Sequence, residues 1–203
     1  NVRMSNMEND VTQDRRSTIL DAAFKVFLTY GFKRTTMADI ADAAGISRPA
    51  LYLEFRNKAD IYRAGFLRML ERTQGEVERA LTSDAPIVDR VAAALEAAII
   101  VPKRRIAQAP HGHELFEVKE ELARDLGNDW STLLGTSLAR AFAEAAKNGE
   151  IAYPEGISGE DVAVIIVLCV DGAKHKKECD WETMAVTLKK LAELVVRPLM
   201  RKP

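Results

Sequence analysis

Two cationic side chains, Arg48 and Lys58, lie where short predicted helices begin, and their chemistry suits a polyanion. Arg48 follows Ser47, a good helix cap, so its guanidinium group extends past a free helix end. From there it can reach a base edge or a phosphate of a nucleic acid. Lys58 follows Asn57 in the first turn of another helix, where the helix dipole disfavours a cation. A cation in that position suggests an anion, and Lys58 with the open N–H groups of the turn would hold a phosphate.

Two short helices and a tight turn, within residues 35–61, are predicted to position these cations. Thr36 and Asp39 match an acidic variant of the capping box, which predicts where the first helix begins. Gly45 can adopt the left-handed conformation that ends a helix, and Ser47 can cap the next one. The pattern predicts a helix-turn-helix in which the second helix is the recognition helix.

The predicted recognition helix has an inward and an outward face. Leu51 and Phe55 are four residues apart and face the core. Pro49 has no N–H, so the capping bond of Ser47 must go to Ala50. At about 100 degrees per residue, the side chains opposite or beside the inward face are available to a ligand: Pro49, Ala50, Tyr52 and Leu53.

Residues 14–62 carry an ordered set of short motifs: an amphipathic helix, GF before a TT pair, then IAxxAG, IS, LYxxF and a lysine ahead of an acidic residue. As a set they resemble the DNA-binding domain of the tetracycline-repressor (TetR) family of transcriptional regulators. The resemblance implies an all-helical homodimer, a variable C-terminal ligand-binding domain, and repression that a small molecule relieves. The family's DNA contacts fall on five residues here: Thr36, Ser47, Arg48, Tyr52 and Lys58.

Two positions depart from the usual family pattern, in which aromatic, histidine or basic residues are common. Leu53 could touch only a thymine methyl group, and Glu54 could accept only from a cytosine amino group. The operator sequence therefore cannot be carried over from relatives.

The chain as a whole has no charge excess that would draw it to DNA or to a membrane, because 29 Lys and Arg residues face 30 Asp and Glu residues. Its 203 residues, 47% of them hydrophobic, can form one or two domains. Helical periodicity recurs along the sequence without period-two alternation, which predicts an all-α fold. We expect a DNA-binding domain over residues 13–60 and a C-terminal effector-binding and dimerisation domain over residues 61–203.

A long helix over residues 58–81 is predicted to join these domains, and further helices are predicted on both sides of it. The segment 103–113 is the least regular part of the chain. The other predicted helices cover residues 13–30, 87–102, 114–126, 128–147, 159–176 and 180–196.

Apolar stripes in the C-terminal part predict two kinds of buried surface. The run Val162–Val170 is apolar nearly all round, so it forms either a central core helix or, with the last helix, a four-helix dimer interface. The residues assigned to that interface are Val162, Ile165, Ile166, Cys169, Trp181, Met184, Leu188, Leu191 and Val195. Large apolar side chains that could line an effector pocket, and that fit a plain core equally well, are Phe66, Met69, Leu70, Phe116, Trp130 and Phe142.

One cluster has metal-ligand chemistry, namely His111, His113, Glu114 and Glu117. No second segment rich in histidine or cysteine completes the set, so polar residues at a helix start are the favoured interpretation. Nucleophile, phosphate-loop and zinc-protease motifs are absent from the sequence, and we expect no enzyme, metal or cofactor. Two alternatives stay open: a DNA-binding dimer without an effector, and a metal-dependent enzyme that uses this cluster.

The sequence also predicts the compartment. No signal peptide is expected, and the longest charge-free apolar run, Val162–Val170, is far shorter than the roughly twenty residues that span a bilayer. Cys169 and Cys179 lie on predicted separate helices and are poor candidates for a structural disulfide, which fits a reducing compartment. We therefore expect a cytoplasmic protein that binds operator DNA, a small-molecule effector and a second copy of itself.

Overall fold

The computed structural model describes residues 2–174 and 180–200, so Cys179 lies outside the described residues. The helices are α1 (Val2–Tyr30), α2 (Met37–Ala43), α3 (Arg48–Glu54), α4 (Lys58–Leu81), α5 (Ile87–Leu95), α6 (Val101–Ala107), α7 (Gly112–Leu122), α8 (Arg124–Lys147), α9 (Gly159–Lys174) and α10 (Trp181–Val196). Within these ranges the one extended pairing is an isolated bridge between Ile151 and Met200. The prediction of an all-α protein is confirmed.

Two compact units divide the chain, and neither is a single stretch of sequence. The first comprises the residues up to Met69 together with Ile106–Arg124, and the second comprises Leu70–Arg105 together with the residues from Asp125 onward. This division differs from the predicted single boundary after residue 60. As a result, α4 contributes its N-terminal part to the first unit and its C-terminal part to the second.

The division differs because α7 packs against the N-terminal part of α4. Tyr62 is buried, and its hydroxyl group donates to the carbonyl of Leu115 at 2.7 Å. Burial raises the pKa of Tyr62 above its usual value, which keeps the hydroxyl group protonated as a donor. The guanidinium group of Arg63 donates to the carbonyl of Leu122 at 2.9 Å. A helix far along the sequence thus completes the first unit.

An aromatic cluster forms the core of the first unit. Neighbouring ring centroids lie 5.1 to 6.4 Å apart among Phe24, Phe27, Phe32, Tyr62 and Phe66. Gly65 of α4 allows this packing, because a Cβ atom there would collide with the ring of Phe24. The glycine therefore brings α1 and α4 close together.

We expect Gly65→Ala to lower the free energy of unfolding by about 1–3 kcal/mol, because the added methyl group overpacks against Phe24. Gly75→Ala is the matched control in the same helix, since no atom lies within 4 Å of its added Cβ. The control should raise the free energy of unfolding by up to about 1 kcal/mol through higher helix propensity. Urea unfolding followed by circular dichroism measures both values, and equal effects would contradict the close packing at Gly65.

The core of the second unit forms where α5 packs against α10, with α8 and α9 adding their apolar faces. Fully buried side chains of this core include Leu95, Leu134, Leu138, Phe142 and Ile166. The predicted starts of α9 and α10 are confirmed. Ser158 accepts from the Asp161 N–H at 3.2 Å, and Asp180 accepts from the Thr183 N–H at 2.7 Å.

The starts of α1 and α8 differ from the predictions, and α7 covers Gly112–Leu122 rather than residues 114–126. Helix α1 begins at Val2 rather than Gln13, because the residues before Gln13 include no proline or glycine that would end a helix. Helix α8 begins at Arg124, so Asn128 lies inside it rather than at its cap. The chain instead leaves helical geometry at Ala123, which has φ −146° and is buried.

Pro102 does not end a helix, although the sequence predicts that it would. Proline has no N–H, and its ring clashes with the carbonyl group four residues earlier in a regular helix. A π turn over Glu96–Ile100 accommodates the ring, because there the N–H of Val101 donates to Glu96, five residues back. Helical structure therefore continues from α5 through α6.

Candidate nucleic-acid interface

Helix α2 begins with the capping box that its sequence predicts. The Thr36 hydroxyl oxygen accepts from the Asp39 N–H at 3.3 Å, and the Asp39 carboxylate accepts from the Thr36 N–H at 2.7 Å. These bonds hold the pKa of Asp39 below its usual value. The Thr36 hydroxyl proton also goes to Asp39, at 2.8 Å. Thr36 thus fixes the start of α2, and its contact with DNA stays a prediction.

The turn between α2 and α3 is held by local hydrogen bonds. Gly45 has φ +67°, the left-handed conformation expected of it. The N–H of Ile46 donates back to the carbonyl of Ala41 at 3.0 Å, which ties the turn to α2. Ser47 then accepts from the Ala50 N–H at 3.3 Å, so the predicted cap of α3 is confirmed. The two helices form the predicted helix-turn-helix.

Helix α3 has the two faces that its periodicity predicts. Leu51 and Phe55 are buried in the first unit. Leu53 is 86% exposed and faces outward. The other outward residues are exposed as well, except Ala50, which is partly buried: Ser47, Arg48, Pro49 and Tyr52. The whole set is open to a ligand, and its contact with DNA stays a prediction.

Arg48 is the exposed cation at the free end of α3. Within residues 2–174 and 180–200 its side chain forms no hydrogen bond and no ion pair. Its guanidinium group therefore keeps all five N–H donors available. A flexible arm with that fork of donors suits guanine O6 and N7 or a phosphate.

Glu54 is bound within the protein rather than open to a base. Arg16 of α1 donates to the Glu54 carboxylate at 3.3 Å and to its carbonyl at 3.1 Å. The same guanidinium group lies over the ring of Phe55, 4.3 Å from the centroid. From the sequence, Glu54 is expected only to accept from a cytosine amino group. The structure shows instead that it anchors the end of α3 to α1.

The ammonium group of Lys58 is bound within the protein, and its contact with a phosphate stays a prediction. Asn57 caps α4 as expected, through the Asp60 N–H at 2.9 Å. The ammonium group of Lys58, however, donates to three backbone carbonyls, at 2.7 Å, 3.0 Å and 2.9 Å, those of Phe32, Lys33 and Thr35. An ammonium group has three donors, so none is left for DNA in this arrangement. The ammonium group thus satisfies carbonyl acceptors of the loop between α1 and α2. The helix dipole alone does not reveal such a partner.

The residues predicted at a dimer interface fall into two groups in the second unit. Val162, Ile166, Met184 and Leu188 are buried in the core of the same chain, so they leave almost no surface for a partner. Ile165 and Cys169 are exposed, whereas Trp181, Leu191 and Val195 are partly buried. Large exposed apolar side chains that the prediction missed on α9 and α10 are Val164, Leu168, Val186 and Leu194.

The residues predicted to line an effector pocket do not share one unit. Phe66, Met69 and Phe116 belong to the first unit, and Phe66 is part of its aromatic cluster. Trp130 and Phe142 are buried in the core of the second unit, and Leu70 is partly buried against the same apolar cluster. A cavity of about 630 Å³ in the second unit is lined by other residues, among them Glu78, Arg90, Ser137, Arg140 and Glu150. The pocket assignment stays a prediction.

The histidine cluster has a structural explanation. Glu114 accepts from the backbone N–H of Lys33 at 2.7 Å, and His111 Nδ1 lies 4.0 Å from the same carboxylate. His113 and Glu117 are exposed. In the described part of the chain no group of three or more His, Cys, Asp or Glu side chains could hold a metal ion.

No helix among the described residues is both long enough and apolar enough to cross a bilayer.

Comparisons with known proteins agree with this geometry. The family model described as "Bacterial regulatory proteins, tetR family" matches residues 19–64. The transcriptional regulator TtgR of Pseudomonas putida is 30% identical over 168 residues, which cover 79% of this chain and 78% of TtgR. A transcriptional regulator from Cytophaga hutchinsonii has a similar fold, with a TM-score of 0.72, 19% identity, and coverage of 90% of this chain and 97% of that chain.

A second solved structure with a similar fold is a complex of SmeT with triclosan. SmeT is the repressor of a multidrug efflux pump of Stenotrophomonas maltophilia. Its TM-score is 0.62 at 21% identity, and the match covers 93% of both chains. Relatives of this kind are transcriptional regulators and not enzymes, which rules out the metal-dependent enzyme. The matched helix-turn-helix and the similarity to TtgR along most of its length establish that this chain belongs to the TetR family of bacterial regulatory proteins and is a DNA-binding transcriptional regulator.

Proposed function

We propose that the protein is a repressor that binds a palindromic operator as a homodimer and leaves it when a small molecule binds. The main support for DNA binding is Arg48. Its guanidinium group is exposed at the free end of α3 and has no partner among the described residues. A helix-turn-helix protein contacts base edges with the N-terminal residues of its recognition helix, which is α3 here. Arg48 is the side chain best placed to do so here.

The remaining contacts follow from exposure. Leu53 supplies an apolar surface for a thymine methyl group, with Pro49 and Tyr52 beside it. Because the ammonium group of Lys58 is fully occupied, phosphate contacts fall to exposed cations next to α2, namely Lys33 and Arg34. These contacts give affinity without sequence preference.

The base-reading role of Arg48 is tested with an operator selected from a random duplex pool by the wild-type protein. Arg48→Ala should cost about 1–3 kcal/mol on that operator and relax the base preference at one position of each half-site. Arg34→Ala is the matched control, because loss of a phosphate contact should weaken selected and random duplexes alike. Fluorescence anisotropy measures both affinities. Equal losses of affinity on selected and random DNA for Arg48→Ala would contradict a base-reading role of Arg48.

The proposed dimer uses the exposed apolar side chains of the second unit. Ile165 and Leu168 lie three residues apart on α9, with Val164 beside them, and Val186 and Leu194 lie on α10. Large exposed apolar side chains gathered on two helices that contact each other favour an interaction surface there. We infer that the partner is a second copy, because a palindromic operator requires two recognition helices related by a two-fold axis.

The proposed release by an effector depends on α4. This helix carries Lys58 in the first unit and Leu70 in the second, so a ligand that displaces α4 near Leu70 would act on the loop that Lys58 holds. Triclosan, bound in the SmeT structure, is a reasonable first probe.

Effector binding and operator binding are thermodynamically linked, so the effect of the operator on effector affinity tests the proposed induction. An inducing compound should bind the operator complex more weakly than the free protein by about 5-fold to 150-fold, the usual range of allosteric coupling. Calorimetry with triclosan and a compound library, with and without operator, measures the ratio. Compounds with equal affinity for both forms would contradict induction, and a library without binders would favour a regulator that senses no small molecule.

A further inference from the structure

The loop Gly31–Thr35 is held by side chains from two different helices of the first unit. From α4, the ammonium group of Lys58 takes three of the loop's carbonyls and also lies 4.7 Å from the centre of the Phe32 ring. From α7, the Glu114 carboxylate accepts from the backbone N–H of Lys33 at 2.7 Å. Three acceptors and one donor of this short loop are therefore bound by two helices that both follow it in sequence.

Glu114 fits this place closely. Its side chain is only 14% exposed. A Cβ atom at Gly31 would collide with its Oε2 atom, and Gly31 also has φ +89°, a conformation that side chains rarely adopt. Beside it, the backbone N–H of His111 donates to the carbonyl of Leu28 at 3.2 Å. The start of α7 and the end of α1 thus form a fitted contact that includes a carboxylate.

The loop decides where α2 begins. Thr35 donates its hydroxyl proton to the carbonyl of Gly31 at 2.7 Å, and the next residue, Thr36, caps α2. Helix α3 follows α2 through a turn that hydrogen bonds close at Gly45 and Ile46. A change at the loop is therefore passed to α2 and α3 through a short, well-bonded connection.

We propose that Glu114 is a positioning residue through which α7 sets the start of α2 and with it the orientation of the recognition helix. The proposal rests on the proposed function, because it concerns how that function is controlled. Helix α4 itself crosses into the second unit at Leu70, and the chain that follows α7 enters that unit at Asp125. The loop is where the contacts from Lys58 and Glu114 meet, directly before α2 and α3.

Three variants separate positioning from plain stability. Glu114→Ala removes the acceptor for the Lys33 N–H, whereas Glu114→Gln keeps an oxygen at the same distance without the charge. Glu117→Ala removes an exposed carboxylate one turn further along the same helix and serves as the control. Each variant is compared on the operator selected by the wild-type protein and on a scrambled duplex of equal length. Concentrations refer to folded dimer, so that loss of folded protein does not count as loss of affinity.

We expect Glu114→Ala to weaken operator binding about tenfold, which corresponds to about 1.4 kcal/mol, and to leave scrambled DNA within about twofold. Glu114→Gln should lose about threefold, because a neutral hydrogen bond is roughly half as strong as one to a carboxylate. Glu117→Ala should match the wild type. A Glu114→Ala or Glu114→Gln protein with unchanged operator affinity would overturn the positioning role, and so would an equal loss on scrambled DNA.

Hydrogen exchange supplies a second readout that needs no DNA. In Glu114→Gln, faster exchange should extend from the loop through α2 and α3, and α9 and α10 should exchange as in the wild type. Faster exchange confined to residues 31–35 would show a local bond only and overturn the proposal. A wild-type protein that enriches no duplex from the random pool would overturn the proposed function itself, whereas enrichment with an unaffected Glu114→Ala would overturn only this role.

Discussion

Replacing Leu168 with glutamate is expected to convert the proposed dimer into monomers. Leu168 is 66% exposed on α9, within the proposed interface. The two-fold axis would bury two unpaired carboxylates, each at a cost of about 3–5 kcal/mol, which raises the dissociation constant by more than about a hundredfold. Sedimentation velocity at micromolar concentration measures the change, and operator affinity should fall with it.

Leu67→Glu is the matched control for this substitution. Leu67 is an exposed leucine of α4 that belongs to the first unit, outside the proposed interface. The control should remain dimeric. A folded Leu168→Glu protein that sediments as the wild type does would move the interface away from α9 and α10.

Lys58→Met should lower the free energy of unfolding by about 2–3 kcal/mol. Methionine keeps much of the side-chain volume but leaves the carbonyls of Phe32, Lys33 and Thr35 without their donor. Hydrogen bonds to a charged group contribute about 1.5–3 kcal/mol, and partial exposure of these carbonyls to water keeps the sum from reaching three times that value. Urea unfolding followed by circular dichroism gives the measurement.

Arg56→Met is the control for Lys58. Its side chain is 89% exposed and pairs with Asp60 on the surface, so its loss should cost less than about 1 kcal/mol. A Lys58→Met protein with unchanged stability, and with a flatter salt dependence of DNA binding, would restore the phosphate contact that the sequence predicts.

Local signals made the helix-turn-helix predictable from the sequence. Each of these signals is local. The capping box joins Thr36 to Asp39, the cap joins Ser47 to Ala50, and Gly45 needs only its own left-handed conformation. Such bonds depend only on the chain nearby, so residue types and spacing are sufficient to predict them.

Contacts between distant segments were not predictable in the same way. Lys58 binds carbonyls 23 to 26 positions earlier, and Glu114 binds an N–H 81 positions away. Backbone groups carry no sequence signature, so a search for opposite charges or ligand clusters does not find them. A cation at the start of α4 is unusual, as the sequence indicates. The helix dipole suggested an anion as its partner, whereas in the fold Lys58 binds backbone carbonyls.

The apolar stripes of α9 and α10 show a further limit. Periodicity identifies which residues share a helix face, but both helices carry apolar residues on more than one face. Met184 and Leu188 turned out to face the core, and Leu168 and Leu194 face outward. Only the packing of the second unit decides which stripe is left for a partner.

The most direct test of the central claim is selection of DNA by the full-length wild-type protein from a pool of random duplexes, followed by sequencing. The account predicts enrichment of a palindrome whose half-site centres lie about 10–10.5 base pairs apart, or a multiple of that spacing, because two recognition helices must reach one face of the duplex. Enrichment of no sequence, or of a single half-site without its inverted repeat, would contradict it.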